Sequence, residues 1–377
     1  MMEPNANFSS DLFHDALLHA QEKVRRLLEK YPGFYPMYTF RGRWKHDLPA
    51  WTRWCDGFLP GLMWIFQSRR PQGSDDERWW FEKAVEYSER LEPRKADREV
   101  HDLGFLFMPS YGRWHKATGD PRLREVLIEA GRTLALRYSS KGRFLRSFLA
   151  PDSLFIDIMM NVGLIFYAAR EARDPVLQEI ATAHCLTTRR VLVRGDGSTA
   201  HEGLFDLESG AFLRQSTQQG FRPDSCWSRG LAWAIYGFCE AYEYCGDARF
   251  LRTAQGCAEY YAESCPPNGV PPWDFDAPDD SRTLADTSAA AIAAAGLLRL
   301  ADAASDAGQK RLHQARAWQI LGTLCQRYLA GSEPAWEGIL KGGVYHRHKG
   351  LGVDESVMWG EYFFVEALDR ALKGQGR

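Results

Sequence analysis

The sequence predicts an all-α chain, folded as an (α/α)6 barrel of twelve helices in alternating inner and outer rings. Three observations carry this. First, helical periodicity dominates the 377 residues, and strand-like alternation is confined to short stretches such as 190–194 and 339–346. Second, tight helix–turn–helix joints of one kind recur: ATGDPRLREVL from Ala117, EARDPVLQEI from Glu171 and YCGDARFLRTA from Tyr244. In the first of them Gly119 ends a helix, Asp120 caps the next and Pro121 takes its first position. Third, two kinds of helical segment alternate strictly along the chain.

The order begins with an amphipathic segment at 10–30, whose apolar residues include Phe13, Leu17, Leu18, Val24, Leu27 and Leu28. A charge-poor segment follows at 56–68, with Gly57 and Gly61 for close helix contact. Then come amphipathic 76–91, buried 102–117 with Gly104, amphipathic 122–138, and buried 154–170 with Gly163. The second half repeats the scheme: amphipathic 175–191, buried 226–242 with Gly230 and Gly237, amphipathic 248–263, buried 284–300, amphipathic 308–329 and buried 356–371. Helices apolar nearly all round are buried, and those with one charged side face water. Six of each close most simply as an inner and an outer ring. No Pro/Gly/Ser-rich linker divides the halves, so residues 1–377 are expected to form one catalytic domain. A two-domain bundle is the competing arrangement.

Lys plus Arg number 47 against 49 Asp plus Glu, which argues against a nucleic-acid or membrane-surface protein. None of the eight cysteines forms a CxxC pair. The first 30 residues lack a signal-peptide core and no run reaches transmembrane length, so a cytoplasmic enzyme is expected. The phosphate-loop, dinucleotide, HExxH and GxSxG motifs are absent. What remains is carboxylates, a histidine, an arginine and aromatics, a set that suits sugar chemistry.

One acid sits inside the apolar stretch PDSLFIDIMMNVGLIFYAAR, Pro151 to Arg170. Ser153, Asp157 and Asn161 are four apart and on a helix share one face. Asp157 is either a hydrogen-bonded core acid or a group facing a wet cavity, and burial is expected to raise its pKa. Asp102 opens a helix and reads as an N-cap or a site acid. Ser225, Arg229 and Trp233 fall at i, i+4 and i+8. A buried Arg229 needs an acid from the protein or a ligand, and Trp233 offers a flat face for a sugar ring. His201 reads as a solvated loop histidine when taken alone. The run His346, Arg347, His348, Lys349 in a Gly-rich loop reads as a solvated rim, or as a place where Arg347 or Lys349 contacts a sulfate or carboxylate on the sugar beyond the cleaved bond.

HDLGF, FIDIMMN, QGFRPDSCWSRGLAWAIYGF, ADTSAAAIAAAGLL and GEYFFVEAL together resemble unsaturated glucuronyl hydrolases of glycoside hydrolase family 88, from about Trp54 to Leu368. The resemblance implies the same barrel. It also implies removal of a Δ4,5-unsaturated uronic acid from the non-reducing end of lyase-generated oligosaccharides. By motif, Asp157 resembles the general acid/base and Asp102 the second essential carboxylate. His201, Gln219, Arg229 and Trp233 resemble the lining of the sugar pocket, and Trp54 resembles a stacking tryptophan. No metal or organic cofactor is implied. The expected partner is an unsaturated uronic-acid disaccharide or oligosaccharide, and the expected state is a monomer or weak homodimer. Two alternatives on related barrels are an unsaturated rhamnogalacturonyl hydrolase and a sugar 2-epimerase. The latter would favour paired catalytic histidines over the aspartates found at the inner helix starts.

Overall fold

A computed structural model describes residues 9–47, 52–278 and 283–374. The outer helices are α1 (Ser10–Lys30), α3 (Asp75–Glu89), α5 (Pro121–Ala135), α7 (Pro175–Leu192), α9 (Ala248–Ser264) and α11 (Ala307–Thr323). The inner ones are α2 (Phe58–Gln67), α4 (103–118, interrupted by a π turn at Met108–Gly112), α6 (Val162–Ala172), α8 (Ser228–Cys245), α10 (Thr287–Ala303) and α12 (Met358–Gly374). Each inner helix packs on the next, and α12 packs back on α2, so the inner ring closes. The outer helices cover it, with α1 against α12 completing the circuit.

Local chemistry separates the two rings. Every outer helix starts at a side-chain cap, supplied by Ser9, Ser74, Asp120, Asp174, Asp247 and Asp306. Four inner helices, α2, α4, α6 and α8, start without one. Their first turns are held by tertiary contacts instead, and polar side chains there are free to do other work. Inner helices also approach through glycine. A Cβ on Gly57 would lie 2.3 Å from the carbonyl oxygens of Phe105 and Leu106, and one on Gly237 2.6 Å from that of Met159. Both distances are too short for any side chain.

The strands are loop devices around one end of the barrel. β1 (Thr39–Phe40) pairs with β2 (Arg43–Trp44), and β3 (Tyr138–Ser139) with β4 (Phe144–Leu145). β5 (Ser153–Phe155), β6 (Glu202–Phe205) and β7 (Phe212–Ser216) form an antiparallel sheet. β8 (Gly343–His346) and β9 (Leu351–Glu355) form a hairpin.

The helical pattern of the sequence holds for all twelve elements, and one boundary moves enough to matter. Helix 154–170 does not begin at 154. Ser153 is in β5, paired with Leu204, and Asp157 lies in a 3-10 turn, Ile156–Met160. Asn161 precedes the first helical residue, Val162. Ser153, Leu154 and Phe155 pair with a strand some fifty positions away, a partner that local periodicity does not reveal. Ser225 likewise lies before α8 and shares no helical face with Arg229.

Candidate active site

The inner helix starts surround a cavity that opens to solvent, with about 830 Å³ of free space when its mouth is included. Trp54, Asp102, Asp157, Gln219, Arg229 and Trp233 all line it. His201 is not part of the wall. It sits directly behind, 2% exposed, between the rings of Phe155 and Trp227 at centroid distances of 4.8 and 4.7 Å. The expectation of a solvated loop histidine is therefore corrected: Ala200 and β6 carry His201 into the core.

The two acids are brought together by Asn161. Its Oδ1 accepts the Phe105 N–H at 2.9 Å, and its Nδ2 donates to the Asp157 carbonyl at 3.2 Å. One side chain thus ties the first turn of α4, just after Asp102, to the turn bearing Asp157. Gly104 makes this approach feasible, because a Cβ there would lie 2.4 Å from the Asn161 Cα. Asp102 occupies the N-cap position of α4 but caps nothing with its side chain. The carboxylate turns instead to His101, whose Nε2 lies 3.4 Å from Asp102 Oδ1 and 3.7 Å from Asp157 Oδ1. The Asp157 side chain is 15% exposed, toward the cavity it lines, and its Oδ1 has no hydrogen-bond partner among the described residues.

The electrostatics correct the expectation of a raised pKa at Asp157. Burial pushes Asp157 up, but the His101 contact, with nearby His201 and Arg229, outweighs it and leaves it below the ordinary value. The raised acid is Asp102. Burial pushes it up to about 6; His101 opposes the rise and Asp157 adds to it. Burial lowers His201 to about 4, so its ring is neutral. The His201 Nδ1 accepts the backbone N–H groups of Gln218 and Gln219 at 3.0 and 3.3 Å, which leaves its proton on Nε2.

Arg229 finds its acid within the protein. Its Nη1 lies 3.5 Å from Asp286 Oδ2, both side chains being fully buried. It also donates to the carbonyls of Val344 and Tyr345 in β8 and to Gln219, and it stacks 4.3 Å over Trp227. Arg229 therefore fixes the β8–β9 loop as well as the pocket wall. Burial lowers its pKa, and Asp286 opposes this.

Trp233 and Trp54 both pack on Phe105, at 5.2 and 5.3 Å, forming an aromatic side of the pocket. Of the other polar groups at the inner helix starts, Asp56 pairs with Arg53 at 2.9 Å and Glu355 accepts from Thr39 at 2.6 Å. Both serve the scaffold. The 342–356 loop is docked rather than fully solvated. His346 is buried, and His348 donates from Nε2 to the Gly220 carbonyl at 2.7 Å. Lys349 lines the cavity, whereas the exposed Arg347 does not.

Sequence reasoning did not single out Gln218, Trp227 or Tyr345 as pocket residues, and it placed His101 with Asp102 at the cavity end of an inner helix without giving it a role. His101 carried a signal, since it stands beside Asp102 in HDLGF. Trp227 adjoins the Ser228–Arg229 pair in the same way.

Comparison with known proteins agrees with this geometry. The family model for Glycosyl Hydrolase Family 88 matches residues 35–258. An unsaturated glucuronyl hydrolase from Bacillus sp. strain GL1 is 32% identical over 371 residues, covering 96% of this chain and 97% of its own. An unsaturated chondroitin disaccharide hydrolase from Streptococcus pneumoniae is 31% identical over 333 residues, covering 85% and 82%. The crystal structure of an unsaturated glucuronyl hydrolase specific for heparin superposes with a TM-score of 0.90 at 28% identity, covering 98% and 99%. With the model spanning more than half of its length and a relative matched almost end to end, the chain belongs to glycosyl hydrolase family 88 and is a glycoside hydrolase on the (α/α)6 barrel.

Proposed function

We propose that this enzyme releases the Δ4,5-unsaturated uronic acid from the non-reducing end of lyase-generated, glycosaminoglycan-type oligosaccharides by hydrating the C4=C5 enol ether. The observation that carries this reading is the convergence of Asp102 and Asp157 on one buried imidazole beside a cavity walled by Trp54, Trp233 and Arg229.

Asp157, open to the cavity, is the acid/base. It protonates C4, and the positive charge that develops is shared by C5 and the ring oxygen. Water adds at C5 as a carboxylate takes its proton. The resulting hemiketal opens, and the hemiacetal left at C1 expels the aglycone. No covalent glycosyl-enzyme forms, so carboxylate separation does not set the outcome as it does in ordinary glycosidases. The pair enters the cycle with one proton, and Asp102, raised by burial, is its holder in the empty pocket. A uronate bound next to Asp157 brings a further negative charge and raises the proton affinity of that acid, so the proton moves to where it is used. Trp54 and Trp233 supply flat faces for the ring and Gln219 a polar group at the wall, while His201 holds the Gln218 and Gln219 backbone from behind.

No helix among the described residues is long and apolar enough to cross a membrane. All eight cysteines are free and six are buried, which fits a reducing cytoplasm. We take the active form to be one barrel per chain, as a monomer or weak homodimer.

Loss of ultraviolet absorbance on adding unsaturated chondroitin, hyaluronan, heparin or pectin disaccharides tests the reading and ranks the substrates. Stable absorbance with all four would defeat it.

The raised Asp102 also sets a pH dependence. The pair keeps its proton below about 6 and loses it above, so kcat/KM falls about tenfold per pH unit on the alkaline side. The folded value lies above the ordinary 3.8, so the contribution of Asp102 to stability is present at low pH and is lost as pH rises through about 6. The Tm difference between wild type and Asp102→Asn should therefore shrink or reverse across that window. A difference that is flat with pH would contradict this assignment.

A further inference from the structure

His101 is held on every side. The Phe148 N–H donates to its Nδ1 at 2.9 Å, the Phe148 ring lies 5.4 Å from its own, and Phe155 meets it edge-on at 5.8 Å. The residue is 1% exposed. A backbone N–H only donates, so Nδ1 keeps its lone pair and the ring proton is on Nε2. Taking up a second proton would require breaking the bond to Phe148. The Nε2–H faces Asp102 Oδ1 at 3.4 Å and Asp157 Oδ1 at 3.7 Å, both longer than a settled hydrogen bond. The one N–H therefore stands between two acids, bonded firmly to neither and within reach of either after a small side-chain shift. The other charged and titratable groups that act on this cluster are Arg137 and Arg94 on Asp102, His201 and Arg229 on Asp157, and His184, which couples to His101.

We propose that His101 is a positioning residue: an Nε2–H donor, held in place by the Phe148 backbone, that bonds whichever of Asp102 and Asp157 is ionised. The donor lets one proton serve both acids. When Asp157 is ionised, the N–H stabilises it. When Asp157 carries the proton for delivery to C4, the N–H stabilises ionised Asp102. His101 itself gains and loses nothing during turnover. This inference rests on the reading of Asp157 as the acid/base.

Two substitutions separate donation from packing. His101→Gln places an amide N–H near the position of Nε2 but gives up the lock from Phe148. His101→Asn keeps an acceptor for the Phe148 N–H and loses the reach to the carboxylates. His101→Asn should lower kcat about 100-fold with KM nearly unchanged, as when one preorganised donor is removed. His101→Gln should retain most of the rate. Carbon-13 NMR titration of the aspartate carboxyls in the full-length protein, assigned with Asp102→Asn and Asp157→Asn, reads the same contact without turnover. The Asp157 midpoint should rise in His101→Asn and stay near wild type in His101→Gln. If the Asn variant does not fold, His101→Ala takes its place as the protein without a donor. Equal losses in the Gln and donor-less variants, with raised KM and an unmoved Asp157 midpoint, would overturn the proposal and leave His101 as core packing. If wild-type enzyme consumes no unsaturated disaccharide, the functional reading fails, while the carboxyl titration still decides the role of His101.

Discussion

Asp157→Asn will fold, retain substrate affinity and lose about 10³-fold or more in kcat. Asparagine is nearly isosteric but can neither deliver nor retake a proton, and a positioned general acid/base is worth about 10²–10⁴ in rate. The backbone carbonyl of Asp157, which accepts from Asn161, is untouched, so the turn keeps its geometry. Stability should change little. The depressed pKa of Asp157 means that its ionised form contributes stability above its ordinary value and loses it on acidification. The Asn161 tie to the turn is kept, so Tm at neutral pH should stay within about 2 °C of wild type. Steady-state kinetics and a thermal melt check both halves. Near-wild-type turnover would remove Asp157 from the mechanism.

Arg229→Ala will cost both activity and fold. The pattern of the sequence alone would have it harm substrate handling more than stability. The structure changes that balance, because Arg229 pairs with fully buried Asp286 and holds the Val344 and Tyr345 carbonyls. Removing one partner of a buried pair leaves the other charge uncompensated, at about 3–5 kcal/mol. Asp286 also accepts from the N–H groups of Ser288 and Val344, so a disturbed carboxylate loosens the start of α10 and the β8 strand together. Denaturant unfolding of Arg229→Ala should show this loss, and adding Asp286→Asn should recover part of it. Wild-type stability in the single variant would show that the ion pair carries no weight and that Arg229 serves the ligand alone.

The starts of the outer helices were legible to within a residue because their signals are local. Each starts at a Ser or Asp that bonds its own first turn, and the charged side of each faces water. The inner starts were less legible because what holds them is distant in sequence. Strand β5 exists because residues 202–205 pair with it, and Asp157 leaves the helix for that reason. Its lowered pKa was unreadable for the same cause: the deciding contact comes from His101, which burial alone does not foretell. Asp102 showed the converse. It holds the N-cap position expected of it, but its side chain turns away from the helix and into the site. Of the residues named by motif resemblance, Trp54, Asp102, Asp157, Gln219, Arg229 and Trp233 line one cavity and His201 lies behind it, whereas physical periodicity located only the helices that carry them.

The central claim is that the double bond is hydrated before the glycosidic link is lost, and rapid-quench kinetics in deuterium oxide tests it most directly. The account predicts that absorbance falls before or together with aglycone release, and that the product carries deuterium at C4 in one configuration. Release of the aglycone ahead of the absorbance change, with an intact unsaturated monosaccharide present in the quenched samples, would contradict it.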